Sequence, residues 1–64
     1  MWVNGAEREL AEGCTVAELV HALGLRSEQV AVERNQRLVP RRAHAAEVLS
    51  AGDRVEIVTL VGGG

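Results

Sequence analysis

The sequence predicts an α+β domain in which one main helix covers one face of a mixed sheet of four or five strands. Two observations support this: one segment has the apolar spacing of a helix, and several shorter segments alternate as strands do. The order is hairpin, helix, strands and a last strand, which is typical of an α+β fold. We expect one domain over residues 1–60 and a flexible tail over residues 61–64, because a chain of 64 residues builds only one thin core.

A β-hairpin is predicted at the start of the chain. Residues 1–4 form its first strand, and Asn4-Gly5 is a strong two-residue turn signal because both residue types tolerate positive φ. The return strand is expected over residues 7–11, where glutamates alternate with Leu10.

A helix is predicted to begin after Thr15. Thr15 is a good N-cap and Glu18 lies three residues later, which is the capping-box pattern. Gly24 provides a C-terminal stop. Between these signals, the apolar residues recur at the spacing that places one apolar stripe against a sheet. The residues of this stripe are Val16, Leu19, Val20 and Leu23.

A second strand pair is predicted in the middle of the chain. Residues 30–34 form a strand, Asn35-Gln36 turns the chain, and residues 38–39 form a very short strand. Pro40 ends this short strand and has no N–H for a ladder, so we expect it at an edge or a turn.

The last strand is the most apolar one and is predicted over residues 54–60. We expect it at the centre of the sheet, beside the first strand. Before it, residues 41–49 are expected to form one or two loose helical turns with Val48 and Leu49 pointing inward, and residues 51–53 form a turn.

Alternation along the last strand predicts an exposed apolar patch. Val55 and Ile57 share the face that should meet the helix, so Val58 and Leu60 point the other way. Trp2 should face outward with them, giving a patch at the base of the tail of the kind that often marks a partner surface. The alternative is that the Trp2 ring lies in the core.

Composition argues against several classes of function. The net charge is −2 and no stretch is strongly basic, so nucleic-acid binding is not favoured. There is no signal peptide and no apolar run long enough to span a bilayer, so no membrane association is expected. One cysteine cannot form an internal disulfide, which fits a reducing cytoplasm. Size and charge favour a monomer in the free state.

No pattern of catalytic or metal-ligating residues is visible. Cys14 is interpreted as a small, half-buried residue, and the isolated His21 and His44 as solvated side chains without metal spacing. We therefore predict no metal site and no enzymatic activity. A group of arginines is interpreted as part of a solvated loop. These are Arg34, Arg37, Arg41 and Arg42.

The final residues predict the delivery of a carboxylate. Glycine has no side chain to pack and loses more backbone freedom on ordering than any other residue, so we expect Gly62, Gly63 and Gly64 to be mobile. From Leu60, the extended tail reaches about 14 Å, which is enough to cross the wall of another protein's active site. Without Cβ atoms the tail fits a narrow channel, and the Gly64 carbonyl stays open to attack.

Taken in order, these features resemble the ThiS family, the small ubiquitin-like sulfur carriers of thiamine thiazole synthesis. The resemblance covers essentially the whole chain. Each motif is weak alone, but their order on so short a chain makes them specific. They are the Asn4-Gly5 hairpin, T-V-x-E-L from Thr15, V-E-R-N from Val32, N-x-x-x-V-P-R from Asn35, the Gly52-Asp53 turn and V-G-G-G from Val61.

The resemblance implies a β-grasp fold with the first and last strands parallel at the sheet centre. It also implies that an E1-like adenylyltransferase uses ATP to activate the Gly64 carboxylate. A sulfur donor system, such as a cysteine desulfurase or a persulfide carrier, then leaves a thiocarboxylate on Gly64. Thiazole synthase takes that sulfur. The family's terminal glycine pair corresponds to Gly63 and Gly64, with Gly62 as an additional glycine.

In this interpretation the chain binds no cofactor itself, since the activating partner uses the ATP. The residues expected to contact partners are Trp2, Val58, Leu60, Val61, Gly62 and Gly63. Two alternatives remain open. One is a carrier for another product, such as a MoaD-like carrier for molybdopterin. The other is a TGS-like binding module, because a shared fold does not fix function.

Overall fold

The structure is a computed structural model, and it describes residues 1–60. The sheet has five strands, and one α-helix packs against it. The predicted tail over residues 61–64 lies outside the described residues. The elements are β1 (Trp2–Val3), β2 (Ala6–Glu7), α1 (Val16–Ala22), β3 (Val30–Arg34), β4 (Arg37–Val39) and β5 (Arg54–Thr59). Two short 3₁₀ turns span Ser27–Gln29 and Arg41–Ala43.

The strands lie in the order β2-β1-β5-β3-β4. β1 runs parallel to β5, and the other neighbouring pairs are antiparallel. β5 therefore lies at the centre beside the first strand, and the prediction of a mixed sheet with a central last strand is confirmed.

The helix has the predicted N-terminal capping box. The backbone N–H of Glu18 donates to the Thr15 hydroxyl at 3.2 Å, and the N–H of Thr15 donates to the Glu18 carboxylate at 2.9 Å. The helix ends at Ala22, and Gly24 follows with φ of 78°. Glycine adopts this left-handed conformation readily, so Gly24 lets the chain turn back toward the sheet.

The core lies between α1 and the inner face of the sheet. Its residues are apolar side chains from the helix and from four of the strands, together with Met1 and Leu49. The most completely buried are Val16, Val20, Val32 and Val55. Val55 and Ile57 point inward as their alternation in the sequence predicts.

The first hairpin is shorter than predicted. The Asn4-Gly5 turn is present with φ values of 51° and 83°, but the return strand covers Ala6–Glu7 instead of residues 7–11. Pairing continues one step further, where the N–H of Arg8 donates to the Met1 carbonyl at 2.8 Å. The chain then leaves the sheet, and Leu10 packs against the core.

The prediction for Val48 is wrong. Leu49 is buried, but the side chain of Val48 is 52% exposed. Val48 pairs with Thr15 in an isolated bridge, and the N–H of Leu49 donates to the Cys14 carbonyl at 2.8 Å. The backbone is thus extended at this point, and side chains of adjacent residues in extended backbone point to opposite faces. Only one of the two can face inward.

The prediction of a solvated His44 is also wrong, because His44 is only 3% exposed. Its Nε2 lies 3.1 Å from the Val39 carbonyl, so Nε2 donates, and its Nδ1 is hydrogen-bonded to the Ser27 hydroxyl at 2.9 Å. Its own carbonyl accepts from the N–H of Ala17 at 2.8 Å. His44 thus joins β4, a 3₁₀ turn and the helix, whereas His21 is exposed as predicted.

A network of polar side chains holds the start of β5, and it includes Arg34, which the sequence places in a solvated loop. Arg34 is half-buried and donates to Asp53 at 2.8 Å and to Glu47 at 3.0 Å. Asp53 also accepts from the Asn35 amide at 3.0 Å and from the N–H of Ser50 at 2.7 Å. The turn after β3 is therefore tied to the loop that precedes β5.

The protonation of Asp53 depends on this network. Burial by itself would raise the pKa of the Asp53 carboxyl. The hydrogen bonds from the Asn35 amide, the Ser50 N–H and the Arg34 guanidinium, together with the charge of Arg34, outweigh the effect of burial and hold the pKa below its ordinary value. Asp53 is therefore ionised in the folded protein at neutral pH.

We predict that Asp53→Asn lowers the free energy of unfolding at pH 7 by about 2 kcal/mol. Every partner of the Asp53 carboxylate is a donor, so either orientation of an asparagine amide sets an NH₂ group against another donor. Urea denaturation measures the loss. The exposed Glu12 provides a control, since Glu12→Gln should leave stability within about 0.5 kcal/mol of wild type.

The same network predicts a pH dependence of stability. A carboxyl with a lowered folded-state pKa contributes stability above its unfolded-state pKa, and this contribution disappears as pH falls through the folded value. For Asp53 the loss should begin near pH 4, the ordinary aspartate value, and continue below it. In Asp53→Asn the loss below pH 4 should be shallower than in wild type. Equal slopes in the two proteins would contradict an ionised, hydrogen-bonded Asp53.

Candidate functional site

The end of β5 is the part of the described structure that leads into the predicted tail. β5 ends at Thr59, and the N–H of Leu60 donates to the Gln29 carbonyl at 2.8 Å. The next residue, Val61, and the three glycines after it lie outside the described residues, so the predicted roles of Val61, Gly62, Gly63 and Gly64 remain predictions.

The outward face of β5 carries the exposed side chains that alternation predicts. Val58 is 60% exposed and Leu60 is 49% exposed. Trp2 is 39% exposed, so the alternative that its ring lies in the core is wrong. Ala31 of β3 lies directly opposite Val58. We call Val58, Leu60 and Ala31 the outer patch.

The structure corrects the position of Trp2 relative to this patch. In the parallel register, Trp2 pairs with Arg54, and the Arg54 guanidinium carbon lies 5.9 Å from the centre of the indole ring. Val58 is four residues further along β5, which is about 13 Å at the rise of a strand. Trp2 therefore shares the outward face with Val58 and Leu60, but it lies at the far end of β5 from the tail. The physical reason is that alternation fixes the face of a residue and leaves the register between strands unspecified.

Leu38 and a pair of glutamates also lie on the outward face. Leu38 on β4 is 67% exposed and pairs with Glu33 of β3. Its exposure follows from alternation against the buried Val39, a signal that the sequence contains. Glu33 pairs in turn with Glu56 of β5, so two carboxylates face each other between Leu38 and the rest of the outward face. Like charges directly opposed across a sheet destabilise it.

A shallow groove lies beside the base of the tail. The residues that line it include Thr59, Leu60, Arg26 and Arg41. Arg26 pairs with Glu28 at 3.4 Å in an exposed ion pair, and Arg41 donates to the Glu28 carbonyl at 3.4 Å. Arg41 is exposed, as the sequence predicts for this arginine.

Cys14 is half-buried, as predicted. Burial, and then the nearby Glu18 carboxylate, raise the pKa of the Cys14 thiol. The thiol is therefore protonated at neutral pH and is a weak nucleophile. Among residues 1–60, no group of three or more histidine, cysteine or acidic side chains is placed to hold a metal ion. In the same residues, no helix has the length and apolar character needed to cross a bilayer.

The topology and the site together define a class of protein. A five-stranded mixed sheet with parallel first and last strands, covered by one helix, is the β-grasp arrangement of ubiquitin-like domains. The crystal structure of a thiamine biosynthesis protein (ThiS) from Geobacter metallireducens is similar to this structure. It has a TM-score of 0.82 and 38% sequence identity, with 98% of this chain and 96% of that chain covered.

Sequence comparison identifies the family. The model of the ThiS family matches residues 1–64. The chain is 33% identical over 61 residues to the sulfur carrier protein ThiS of Escherichia coli, covering 95% of this chain and 92% of that protein. The chain therefore belongs to the ThiS family.

A thiazole synthase from Paramagnetospirillum magneticum contains a related segment. The identity is 44% over 62 residues, which is 97% of this chain but only 19% of that protein. The chain thus spans about a fifth of the length of this relative. The rest of that synthase lies outside the matched segment.

The position of Val58 predicts that its side chain contributes little to stability. Val58→Ala should change the free energy of unfolding by less than about 0.5 kcal/mol, because the side chain is already exposed. The neighbouring Ile57 is the matched control on the buried face, where Ile57→Ala should cost about 3 kcal/mol. Urea denaturation of both variants measures the difference. A loss for Val58→Ala comparable to that for Ile57→Ala would mean that the outer patch belongs to the core.

Proposed function

We propose that this chain carries sulfur as a thiocarboxylate on Gly64 and delivers it for thiazole formation in thiamine biosynthesis. The observation that carries the proposal is the family match over residues 1–64, which includes the three glycines at the printed end of the sequence. The fold supports it, because β5, a central strand of the sheet, is the last described element before these glycines in the sequence.

The chemistry follows from the properties of a carboxylate. A terminal carboxyl group has a pKa near 3.5, so it is anionic at neutral pH and a poor electrophile. An E1-like partner transfers AMP from ATP to the Gly64 carboxylate, which gives the carbonyl carbon a good leaving group. A persulfide then attacks that carbon and displaces AMP. A second thiol then attacks the sulfur of the persulfide carrier in the resulting acyl disulfide, which forms a disulfide between the two thiols and leaves the thiocarboxylate on Gly64.

The side chains of this chain are compatible with activation of Gly64 by a partner enzyme. The adenylate is an acylating agent, and Cys14 is the only thiol in the chain. Because the Cys14 thiol is half-buried and its pKa is raised, it competes poorly for the activated carbonyl. The sequence also contains no lysine, since its seven basic residues other than histidine are all arginine. The activated terminus therefore meets few nucleophiles from its own chain.

Thiazole synthase is the acceptor that we propose. The relative from Paramagnetospirillum magneticum is named thiazole synthase and contains a segment 44% identical to this chain. A carrier segment within the same polypeptide as a synthase is consistent with a direct exchange between the two. We therefore propose two partners, an E1-like adenylyltransferase and thiazole synthase. We also propose a cytoplasmic location, where these partners and ATP are present.

The contact surface that we propose is the outer patch together with the tail. Val58 and Leu60 would pack against the mouth of the partner's active site, while Val61, Gly62 and Gly63 enter it. Exposed apolar side chains beside a functional terminus are suited to such a transient contact. Trp2, at the other end of β5, would contact a partner only where the interface extends along the whole outward face.

Intact mass spectrometry tests the proposal. The protein is incubated with ATP, an E1-like adenylyltransferase and a persulfide source, and we expect one oxygen to be replaced by sulfur at Gly64. The same adenylyltransferase should activate another carrier in a parallel reaction, which shows that the enzyme is competent. If the mass of this protein is nevertheless unchanged, the result would favour a TGS-like binding module. Sulfur loading with subsequent transfer to molybdopterin synthase, and none to thiazole synthase, would favour a MoaD-like carrier.

We predict that one alanine added after Gly64 abolishes sulfur loading. The added residue moves the carboxylate away from the activating atoms and places a Cβ beside the carbonyl. The midpoint of thermal unfolding should be nearly unchanged, because the core residues of the domain all precede Leu60. Mass spectrometry and calorimetry measure the two effects. Glu12→Ala, in an exposed turn, is the control that should load as wild type does.

A further inference from the structure

β1 is too short to pair with the whole of β5. It covers two residues, Trp2–Val3, whereas β5 covers six. At the two ends of this short ladder, the N–H of Trp2 donates to the Asp53 carbonyl and the N–H of Asn4 donates to the Val55 carbonyl, each at 2.9 Å. The chain then turns away at Asn4, where φ is 51°.

The side chain of Asn4 continues the ladder where the backbone of β1 leaves it. Its Oδ1 accepts from the N–H of Ile57 at 2.7 Å, and its Nδ2 donates to the Ile57 carbonyl at 3.1 Å. A primary amide has the same acceptor and donor as a peptide group, so it can take the place of the next residue of a strand. Only one orientation of the amide satisfies both groups of Ile57, which fixes the assignment of its oxygen and nitrogen.

These bonds decide where β5 is held near its end. The hydrogen bonds place the backbone groups of Val55 and Ile57 on the β1 side and the N–H of Leu60 on the β3 side. Within residues 1–60, Ile57 is the last residue held on the β1 side, by Asn4. Leu60 is the last held on the β3 side, by the Gln29 carbonyl. Two anchors on opposite edges define the direction in which the chain leaves the sheet.

A second asparagine bonds the other end of β5, from the β3 side of the strand. Asn35 occupies the same turn position with the same φ of 51°. Its Oδ1 accepts from the N–H of Arg54 at 2.9 Å, and its Nδ2 donates to Asp53 at 3.0 Å. Asn4 and Asn35 are therefore a matched pair in residue type and backbone conformation. They differ in the end and in the edge of β5 that they hold, since Asn4 bonds Ile57 on the β1 side and Asn35 bonds Arg54 on the β3 side.

We propose that Asn4 is a positioning residue for sulfur transfer, which acts through Ile57 to aim the tail at the partner's active site. This inference rests on the proposed function of the chain as a sulfur carrier. Asn4 touches no reacting atom. Asn4 restricts the directions in which the chain can leave β5. This reduces the conformational entropy that is lost when the partner binds the tail.

The test compares glycine substitutions at the two positions. Asn4→Gly and Asn35→Gly each remove the amide side chain without strain, because glycine adopts positive φ readily. In amide hydrogen exchange followed by NMR, Asn4→Gly should accelerate exchange of the Ile57 N–H by about tenfold relative to neighbouring core amides. Asn35→Gly should accelerate Arg54 and leave Ile57 unchanged relative to the same core amides.

The kinetic measurement uses the full chain with the E1-like partner and ATP, at a temperature at which all variants are folded. Asn4→Gly should raise KM for the carrier by about fivefold with kcat little changed, because the activated complex is the same once the tail is bound. Asn35→Gly should leave KM at the wild-type value although it also removes two hydrogen bonds. A role of Asn4 in stability alone would not separate the two variants in KM.

Asn4→Asp is the conservative variant. It tolerates positive φ and keeps an acceptor for the Ile57 N–H, but it cannot donate to the Ile57 carbonyl. Ile57 exchange should therefore stay slower than in Asn4→Gly, and KM should lie between wild type and Asn4→Gly. This variant also decides the proposal if Asn4→Gly does not fold.

Three results would overturn the inference: Ile57 exchange that is unchanged in both Asn4 variants, equal KM values for the Asn4 and Asn35 variants, or a fall in kcat without a rise in KM. Failure of the proposed function gives a different result, because wild type itself would then not be adenylated. In that case the positioning role in sulfur transfer falls with it, and the exchange data still decide whether Asn4 holds Ile57.

Discussion

β5 lies between a parallel strand of two residues and an antiparallel strand of five, and the rest of the structure depends on this unequal pairing. On the β3 side the ladder is continuous. On the β1 side it is brief, and the side-chain amide of Asn4 extends it to Ile57. On the β3 side the side-chain amide of Asn35 adds a bond to the N–H of Arg54. A central strand needs partners for its backbone groups on both edges, because unpaired buried N–H and C=O groups are costly. Polar turn residues meet this need and allow the first hairpin to be very small.

The polar network at the start of β5 and the apolar outer patch at its end divide the strand into two functional halves. The first half is held by Arg34, Asp53 and Asn35, which fix it to the turn after β3. The second half carries side chains that the domain does not need for its own packing, Val58 and Leu60. The proposed carrier role would benefit from this division, since partners could bind and release one end of the strand while the other end keeps the fold intact.

The features that the sequence predicts correctly are local ones. The capping box of Thr15 and Glu18, the Asn4-Gly5 turn and the alternation along β5 each involve residues a few positions apart. The features that it fails to predict depend on register between distant segments. Ser27 reaches His44 across 17 residues. Trp2 takes its place beside Arg54 through a parallel pairing that alternation does not specify.

The candidate site shows the same division. The outward orientation of Val58 and Leu60 follows from strand alternation and agrees with the structure. The absence of side chains in the glycines after them predicts the delivery of a carboxylate, whereas the sulfur chemistry at Gly64 is implied only by the family resemblance. The hydrogen bonds of Asn4 to Ile57 span 53 residues of sequence. No local pattern indicates such a contact, although the turn that contains Asn4 is evident.

The opposed carboxylates of Glu33 and Glu56 have a consequence for self-association. If two copies stacked their sheets through the outward face, each would bring this acidic pair toward the other copy, and four negative charges would crowd a space with little water. The same face can still accept a surface of opposite charge. Like charges therefore disfavour the stacking of two such faces, although the same pair of carboxylates has a cost within its own sheet.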